Sequence, residues 1–416
     1  MGAGHSHGPA ADLDLSRAAR LGSIGLLVAV AIATVVGVVL LWPTARPELN
    51  HAPAGGAQSV APVVKGTVTA LEACPDNFDA EPSGSIHHAC QIATVELTSG
   101  PAAGQSVPVE FIGVSAVSGV VVGDPVHVTD VGEGGTPYYA LVTIDRLLPL
   151  ALFTLAFVVV VIAVAGWKGV RGLIGLGVAG AIFFGFMLPA LATGHPAVAV
   201  ALVGGSAIMF AVLYLAHGIS MRTTSAFVGT LVSLLATAGL GALGVWAARL
   251  SGLSTDETIA LAGQSEGLSF TALLTCSLVI AGLGVLNDTT ITQASAVWEL
   301  RAAGPHLSRW DLFTAGMRIG RDHIASTIYT IVFAYAGAAL STLVLLSLYS
   351  QPLDLLLSTE PFAEEIVRTL GSGIGLVLSV PLTTGVAALT VGSAVAAASA
   401  SATPRRARPA HDHDHG

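Results

Sequence analysis

Leu147–Trp167 reads LLPLALFTLAFVVVVIAVAGW and holds no charged side chain. About 20 apolar residues span a bilayer, because its hydrocarbon core is roughly 30 Å thick and an α-helix rises about 1.5 Å per residue. A second uncharged run, Gly172–Ala192, follows a short connection that carries Lys168 and Arg171. The two runs predict two consecutive membrane-spanning helices.

The whole chain has the composition of a membrane protein. Of its 416 residues, 53% are hydrophobic and 10% are charged, whereas soluble globular proteins carry about 25% charge. The net charge of −9 argues against a nucleic acid partner, whose phosphates need a basic surface. We therefore expect an α-helical polytopic membrane protein with about eight transmembrane helices and the lipid bilayer as its partner. The apolar runs cover residues 22–42, 147–167, 172–192, 196–216, 223–248, 268–287, 324–348 and 369–398.

The first apolar run is open to two interpretations. Residues 1–21 are polar, and the run that follows ends at Trp42-Pro43. A cleaved signal peptide is one alternative, but the run is longer than a typical signal core and lacks a clean small-residue cleavage site. We interpret residues 22–42 as a retained anchor helix, and the Pro-, Ala- and Gly-rich residues 43–62 as a linker.

Residues 63–146 differ in character from the rest of the chain. Five short β-rich segments are separated by Gly and Pro clusters, which predicts a small all-β domain, either an OB-like barrel or a sandwich. A Cys74–Cys90 disulfide is expected if this domain faces an oxidising compartment. Cys276 lies in an apolar run and is interpreted as a small buried residue. The five segments are Val63–Leu71, Gln91–Leu97, Gln105–Ile112, Asp124–Val131 and Tyr138–Ile144.

The basic residues predict the orientation. With a cytoplasmic N-terminus, twelve Lys and Arg residues fall on the cytoplasmic side and five fall outside, as the positive-inside rule requires. This arrangement makes the β domain extracytoplasmic, followed by a seven-helix domain at residues 147–398, and both termini cytoplasmic. The cytoplasmic set is Arg17, Arg20, Lys168, Arg171, Arg222, Arg301, Arg309, Arg318, Arg321, Arg405, Arg406 and Arg408, and the outer set is Arg46, Lys65, Arg146, Arg249 and Arg368.

A polar stripe continues from the sixth apolar run. If residues 282–299 are helical, Asp288, Thr292, Ser295 and Glu299 share one face at i, i+4 and i+7 spacing. An ionisable residue at membrane depth usually marks a pathway or a paired site. The alternative is that the helix has already left the membrane and the stripe is solvated, which we favour for Glu299.

A second polar group leads into the seventh run. Arg318 and Asp322 are an i, i+4 pair, and Ser326 carries polarity into the apolar segment. His323 beside Asp322 could relay protons, although a lone histidine is more often structural. Under the alternative, this is the start of a cytoplasmic helix, with Arg321 at lipid headgroups. We predict one polar cluster of Asp288, Asp322, Thr292, Ser326 and His323, with Arg318 or Arg321 as counter-charge.

Both ends of the chain contain histidines. Imidazole is the usual protein ligand for zinc, copper and nickel, so the tails are weak candidates for transition-metal binding. The alternative is a polar tail that binds metal incidentally, because no ordered scaffold fixes the ligands. The residues are His5 and His7 in the first tail, and His411, His413 and His415 in the last, at residues 399–416.

The block from Gly284 to Leu340 resembles the YibE/F-like family of bacterial multipass membrane proteins. The matching elements are Asn287-Asp288 with a Thr/Ser-rich helix ending in Trp298-Glu299-Leu300, then Gly320-Arg321-Asp322, and Ala334-Tyr335-Ala336-Gly337-Ala338. The resemblance covers most of residues 145–395 and extends to the β domain. It implies a multipass protein of the bacterial cell membrane and carries no settled activity.

Three functions are compatible with these patterns. We favour a secondary transporter or permease-like protein, ion- or proton-coupled, because the helices are interrupted by glycine and carry polar residues. A second is a non-transporting assembly or regulatory factor whose β domain binds a protein partner, and a third is an intramembrane enzyme. No nucleophile elbow, HExxH, Walker A or thiol-redox motif is present in the sequence, and no cofactor is predicted with certainty.

Overall fold

The computed structural model describes residues 17–44, 62–74, 89–132, 137–265, 267–348 and 352–391. The chain divides into two compact units, His51–Gly166 and the combination of Met1–Asn50 with Trp167–Gly416. We describe each unit by itself.

The first unit contains a closed five-stranded barrel. Its strands follow the order β1-β2-β3-β5-β4, and β4 pairs back with β1 to close the ring. The pairing of β3 with β5 is parallel, and the others are antiparallel. The β domain is therefore a barrel and not a sandwich, with the five-stranded form of an OB-like fold. The strands are β1 (Val63–Ala73), β2 (Cys90–Leu97), β3 (Ser106–Ile112), β4 (Pro125–Asp130) and β5 (Tyr139–Ile144).

Alternation along the strands fills the barrel. Val95 and Phe111 are fully buried, and their neighbours along the strand face outward, as the two-residue period of a strand requires. Gly66 of β1 allows β2 to approach closely, because a Cβ there would lie 2.4 Å from a methyl carbon of Val95. The Cys74–Cys90 disulfide is present at the end of this strand pair, with Cα atoms 5.6 Å apart.

The helices follow the apolar runs with some changes of boundary. They are α1 (Arg17–Leu40), α2 (Leu147–Ile182), α3 (Leu188–Ala192), α4 (Ala197–His217), α5 (Met221–Ala247), α6 (Asp256–Gln264), α7 (Phe270–Ala303), α8 (Arg309–Ala338), α9 (Leu340–Leu348), α10 (Leu353–Leu357) and α11 (Glu360–Thr390). Side-chain caps define several starts. Ser308, for example, accepts from the backbone N–H of Asp311, whose carboxylate accepts from the N–H of Ser308 in return.

The two runs after the barrel form one long apolar segment in the structure. Helical geometry from Leu147 to Ala192 is broken at Gly166, where φ is 57° and ψ is −138°, a backbone conformation that favours glycine. Further along, Phe183–Met187 forms a π-helical turn. Pro189, two residues after this turn, lacks the N–H that a regular helix would use.

Among the residues that the structure describes, five segments are long and apolar enough to cross a membrane: Leu147–Ala192, Ala197–His217, Met221–Ala247, Phe270–Ala303 and Glu360–Thr390. The eight apolar runs predicted from the sequence match the helices of the structure only in part. The first two runs after the barrel are joined, the anchor appears as a shorter apolar helix, Ile24–Leu40, and residues 324–348 are divided between α8 and α9.

Helices α5, α7 and α11 form the centre of the second unit. They pack against one another, with α4 against α7 and α8 against α7 and α11, while α1 lies against α4. Phe227, Leu278 and Leu286 are among the fully buried side chains of this centre. Polar side chains also lie at the centre, and they form the candidate site.

Candidate functional site

Asp288 of α7 and His323 of α8 face each other across neighbouring helices. The Oδ2 atom of Asp288 lies 3.9 Å from Nε2 of His323, within the range of an ion pair but too long for a hydrogen bond. The Asp288 side chain is 70% exposed and that of His323 is 25% exposed. A carboxylate open to its surroundings therefore lies against a mostly buried imidazole.

The His323 side chain has an unpartnered ring nitrogen, among the described residues. Among the described residues, Nε2 of His323 has no hydrogen-bond partner and is itself buried. The backbone carbonyl of His323 accepts from the hydroxyls of Ser326 and Thr327, each at 2.9 Å. These bonds engage only the backbone carbonyl of His323, so Asp288 is the polar side chain that lies closest to Nε2 among the contacts of the described residues.

The other predicted members of the cluster lie at the surface of the unit. Asp322, Arg318, Arg321 and Thr292 are exposed, and so is Ser326. Within the part of the chain that the structure describes, neither arginine forms an ion pair and Asp322 has no polar contact. The structure thus brings Asp288 to His323 and shows no contact between the two aspartates.

A buried network of polar side chains lies beside this pair, and sequence reasoning missed it. Gln293 of α7 is almost fully buried, and its Nε2 donates to the carbonyl of Gly316 in α8 at 2.7 Å and to the hydroxyl of Thr384 in α11 at 2.8 Å. One side chain therefore links three helices. The available signal was the position of Gln293 one turn after Thr289 in a Thr/Ser-rich helix.

Two hydroxyl pairs extend the network to α5. The hydroxyl oxygens of Thr230 and Thr290 lie 2.7 Å apart, and those of Ser225 and Thr390 are separated by the same distance. The four residues also bond to carbonyls of their own helices, usually one turn back. Since each hydroxyl has one proton and two acceptor lone pairs, these contacts can exchange donor and acceptor roles.

Close helix packing depends on glycine at this interface. A Cβ at Gly229 of α5 would lie 2.5 Å from the hydroxyl oxygen of Thr383, and one at Gly375 of α11 would lie 2.2 Å from that of Thr237. Small residues let helix backbones approach in a membrane, where packing and hydrogen bonds replace the hydrophobic driving force. The glycines and hydroxyls therefore act together.

Several buried polar atoms have no partner within the described ranges. In the helical unit they include Oδ1 of Asn287 and the hydroxyl oxygens of Thr289, Ser372 and Thr383. An unsatisfied buried polar group costs about 1–3 kcal/mol. The interior of the bundle therefore offers hydrogen-bonding capacity that its own side chains do not use.

The candidate metal ligands of the tails cannot be placed. His5, His7, His411, His413 and His415 lie outside the described residues. Within those residues, no group of three or more His, Cys, Asp or Glu side chains is arranged to hold a metal ion. Metal binding by the tails stays a prediction.

The long apolar helices, together with the buried network of polar side chains between them, define a helical protein embedded in a membrane. Residues 153–393 match the model of the YibE/F-like protein family. This match covers more than half of the chain, and the chain belongs to this family. No curated protein and no solved structure matches the chain significantly.

Proposed function

We propose that this chain is a secondary transporter or permease-like protein whose transport is coupled to a cation, most simply a proton, at Asp288 and His323. The supporting observation is the 3.9 Å approach of the Asp288 carboxylate to the His323 imidazole between two helices of a membrane-embedded bundle. Ionisable groups in such a position usually serve ion or substrate pathways.

The chemistry of the pair suits proton coupling. When Nε2 of His323 is protonated, the imidazolium attracts the Asp288 carboxylate and draws α7 towards α8. When the proton leaves, the neutral ring loses that attraction and the helices can separate. The proton reaches His323 by way of the Asp288 carboxylate, because the Asp288 side chain is the more exposed of the two.

The neighbouring hydroxyl network allows the bundle to respond. Gln293 joins α7 to α8 and α11, so a movement at the charged pair is transmitted to both helices. When the contact between Thr230 and Thr290 opens, the hydroxyl that donated across it can donate to a carbonyl of its own helix instead. Alternation between two packings requires such replaceable interactions.

The proposed topology has eight crossings in the bacterial cell membrane, with cytoplasmic termini and the barrel outside. Its support is the twelve-to-five distribution of basic residues. A disulfide in the barrel agrees with an oxidising compartment on that side.

Transport is tested with the purified protein in proteoliposomes. The vesicles are loaded with a defined mixture of amino acids, small organic acids and amines, a pH gradient is imposed, and retained solutes are measured by mass spectrometry. We expect gradient-dependent loss of at least one solute compared with protein-free vesicles. Movement of neither solutes nor protons under the gradient contradicts the proposal.

A matched pair of variants isolates the coupling site. Asp288→Asn removes the charge, and we expect it to abolish gradient dependence. Glu299→Gln is the control, because Glu299 is on the same helix, is 73% exposed and lies 3.8 Å from Arg222. Equal effects of the two substitutions would show that any surface carboxylate serves, and would remove Asp288 from the mechanism.

The barrel supports a second candidate, a membrane assembly or regulatory factor. Between β3 and β4, four valines are exposed, Val114 at 76%. Clustered exposed apolar side chains on a small domain are typical of an interaction surface. The other three are Val117, Val121 and Val122.

Photocrosslinking separates the two candidates. This second function predicts that a crosslinker at Val114 captures one defined protein in stoichiometric yield, while a crosslinker at the exposed strand position Val142 does not. It also predicts no solute movement in proteoliposomes. Transport by the purified chain alone would reject it.

A further inference from the structure

A cavity of about 750 Å³ lies where α8, α9 and the start of α11 meet. It belongs entirely to the helical unit and lies away from the Asp288–His323 pair. His323 and Tyr335 are both on α8, and their separation of 12 positions in the sequence corresponds to about 18 Å of helix. The polar residues of the lining include Ser254, Tyr335, Thr342, Glu364, Glu365 and Arg368.

One carboxylate in this cavity is buried and incompletely paired. Glu364 is 6% exposed, and its Oε2 accepts from the hydroxyl of Ser254 at 2.7 Å. Its Oε1 is buried and has no hydrogen-bond partner among the described residues. An ionised carboxylate removed from water is costly unless a charge or a set of donors compensates it.

The adjacent arginine does not provide that compensation. Arg368 binds Glu365 at 2.6 Å, and both side chains are half-buried. Among the described residues of the lining there are two carboxylates and one guanidinium, so one negative charge is left over when both carboxylates are ionised. The charge of the cavity therefore selects a cation.

The remainder of the lining is apolar and continues into a groove. Ala336, Ala339, Leu343 and Leu357 line the cavity. Val332, Thr369 and Leu370 are shared with a second, apolar cavity of about 280 Å³ between α8 and α11. A bare metal ion would leave this volume empty, whereas an organic cation with a hydrocarbon chain would fill it.

We propose that this cavity binds an amphipathic organic ammonium ion, with its cationic head beside the carboxylate of Glu364 and its apolar chain along the groove between α8 and α11. The Ser254 hydroxyl orients the carboxylate, and the Glu365–Arg368 pair keeps the guanidinium away from the ligand. The site stands independently of the proposed transport function, since binding is measured without any gradient.

The probe is hexyltrimethylammonium, measured by equilibrium dialysis against the full chain in a non-ionic detergent. We expect saturable binding that is stronger than that of tetramethylammonium, which lacks the chain, and no binding of hexanesulfonate, which has the opposite charge. Equal binding of hexanesulfonate would overturn the proposal, because the site would then be an apolar groove alone.

Two substitutions test the anchor. Glu364→Gln keeps the size and should lower the affinity by about tenfold or more, as expected for the loss of one partly buried charge contact. Glu257→Gln, on the exposed face of α6 and outside the cavity, should leave the affinity within about twofold. Unchanged binding by Glu364→Gln rejects the site.

A third variant tests the site if Glu364→Gln does not fold. Ala336→Leu reduces the cavity from α8 and leaves the carboxylate intact, so it should weaken hexyltrimethylammonium more than tetramethylammonium. Equal affinity of this variant and the unmodified chain for both probes contradicts the placement of the ligand. Nanodiscs distinguish the source of the ammonium: competition by phosphatidylethanolamine and not by phosphatidylglycerol identifies a lipid headgroup, and equal binding in both identifies a free amine.

Discussion

Gln293 of α7 donates from Nε2 to the backbone carbonyl of Gly316 in α8 at 2.7 Å, and both residues are buried. We expect Gln293→Leu to destabilise the bundle by about 1–3 kcal/mol, because the carbonyl and the Thr384 hydroxyl lose a buried partner. Thermal unfolding in a mild detergent measures this, with the exposed neighbour Thr292→Val as control. A loss no larger than that of the control would show that the bond contributes nothing.

Two glycines of α11, Gly375 and Gly373, should respond differently to substitution by alanine. Gly375→Ala should destabilise the protein by about 1–3 kcal/mol, since its Cβ would meet Thr237 Oγ1 at 2.2 Å. Gly373→Ala, two residues away on the same helix, has nothing within 4 Å of its Cβ and should be neutral or slightly stabilising. Adding Thr237→Ala to Gly375→Ala should recover part of the loss, and no recovery would place the strain elsewhere.

The disulfide can be counted by its thiols. Denatured, unreduced protein should expose one reactive thiol, that of Cys276, since Cys74 and Cys90 are bonded. Replacing Cys74 by Ser should destabilise the barrel by roughly 3 kcal/mol, the value for closing a loop of about 15 residues. Thiol labelling followed by mass mapping tests whether Cys276 alone is reactive. Labelling of all three cysteines in protein isolated from cells would refute the disulfide.

Alkaline pH should act on the barrel through Tyr138. Its hydroxyl donates to Oε2 of Glu110 at 2.9 Å, and this bond, followed by desolvation and the charge of Glu110, raises the pKa of Tyr138 above its usual value. The bond therefore stabilises the barrel fully below about pH 10 and is lost as the pH rises through the raised pKa. In tyrosinate absorbance titrations, subtracting the curve of Tyr138→Phe isolates this residue.

Glu110→Gln is the test of that cause. Removing the carboxylate should move the Tyr138 titration to lower pH, because the neutral phenol loses its charged acceptor. An unmoved midpoint would mean that Glu110 is not the source of the shift.

Cysteine labelling addresses the topology. In a Cys276→Ala background, a membrane-impermeant reagent applied to intact cells should modify Gln58→Cys and spare Pro305→Cys, as the basic-residue distribution predicts. Lysed cells, in which both sites react, provide the control. Modification at position 305 alone would reverse the orientation.

Composition and periodicity were sufficient for the coarse fold. Each uncharged run contributes its own evidence for a membrane-spanning helix, so the class of membrane protein could be predicted from the sequence. The five strands could be predicted from the alternating segments between Gly and Pro clusters. Closure into a barrel depends on the pairing of β4 with β1, which brings together distant segments and leaves no local pattern. The bounds of the eight predicted spans were harder to predict. Helix α8, for example, begins well before its apolar part and includes Arg318 and Asp322.

The candidate site was only partly accessible for a related reason. Helical spacing places Asp288 and Thr292 on one face, but it cannot show which face of α8 turns towards them, and the structure selects His323 over Asp322. Threonines resemble apolar residues in a transmembrane pattern, since they bond to their own helix, so the Thr230–Thr290 contact had no distinguishing signal. Glu364 was hidden in the polar start of α11.

The helix break at Gly166 affects how many times the chain crosses the membrane. The helical segment Leu147–Ala192 has 46 residues and, if straight, would be roughly 70 Å long, more than twice the hydrocarbon thickness. If the break at Gly166 becomes a turn, the segment crosses twice and everything after it returns to the side where the segment began. If the segment crosses once, every later loop faces the opposite compartment. The backbone conformation of Gly166 thus decides whether an odd or an even number of crossings precedes Asp288, and hence which compartment that side chain faces.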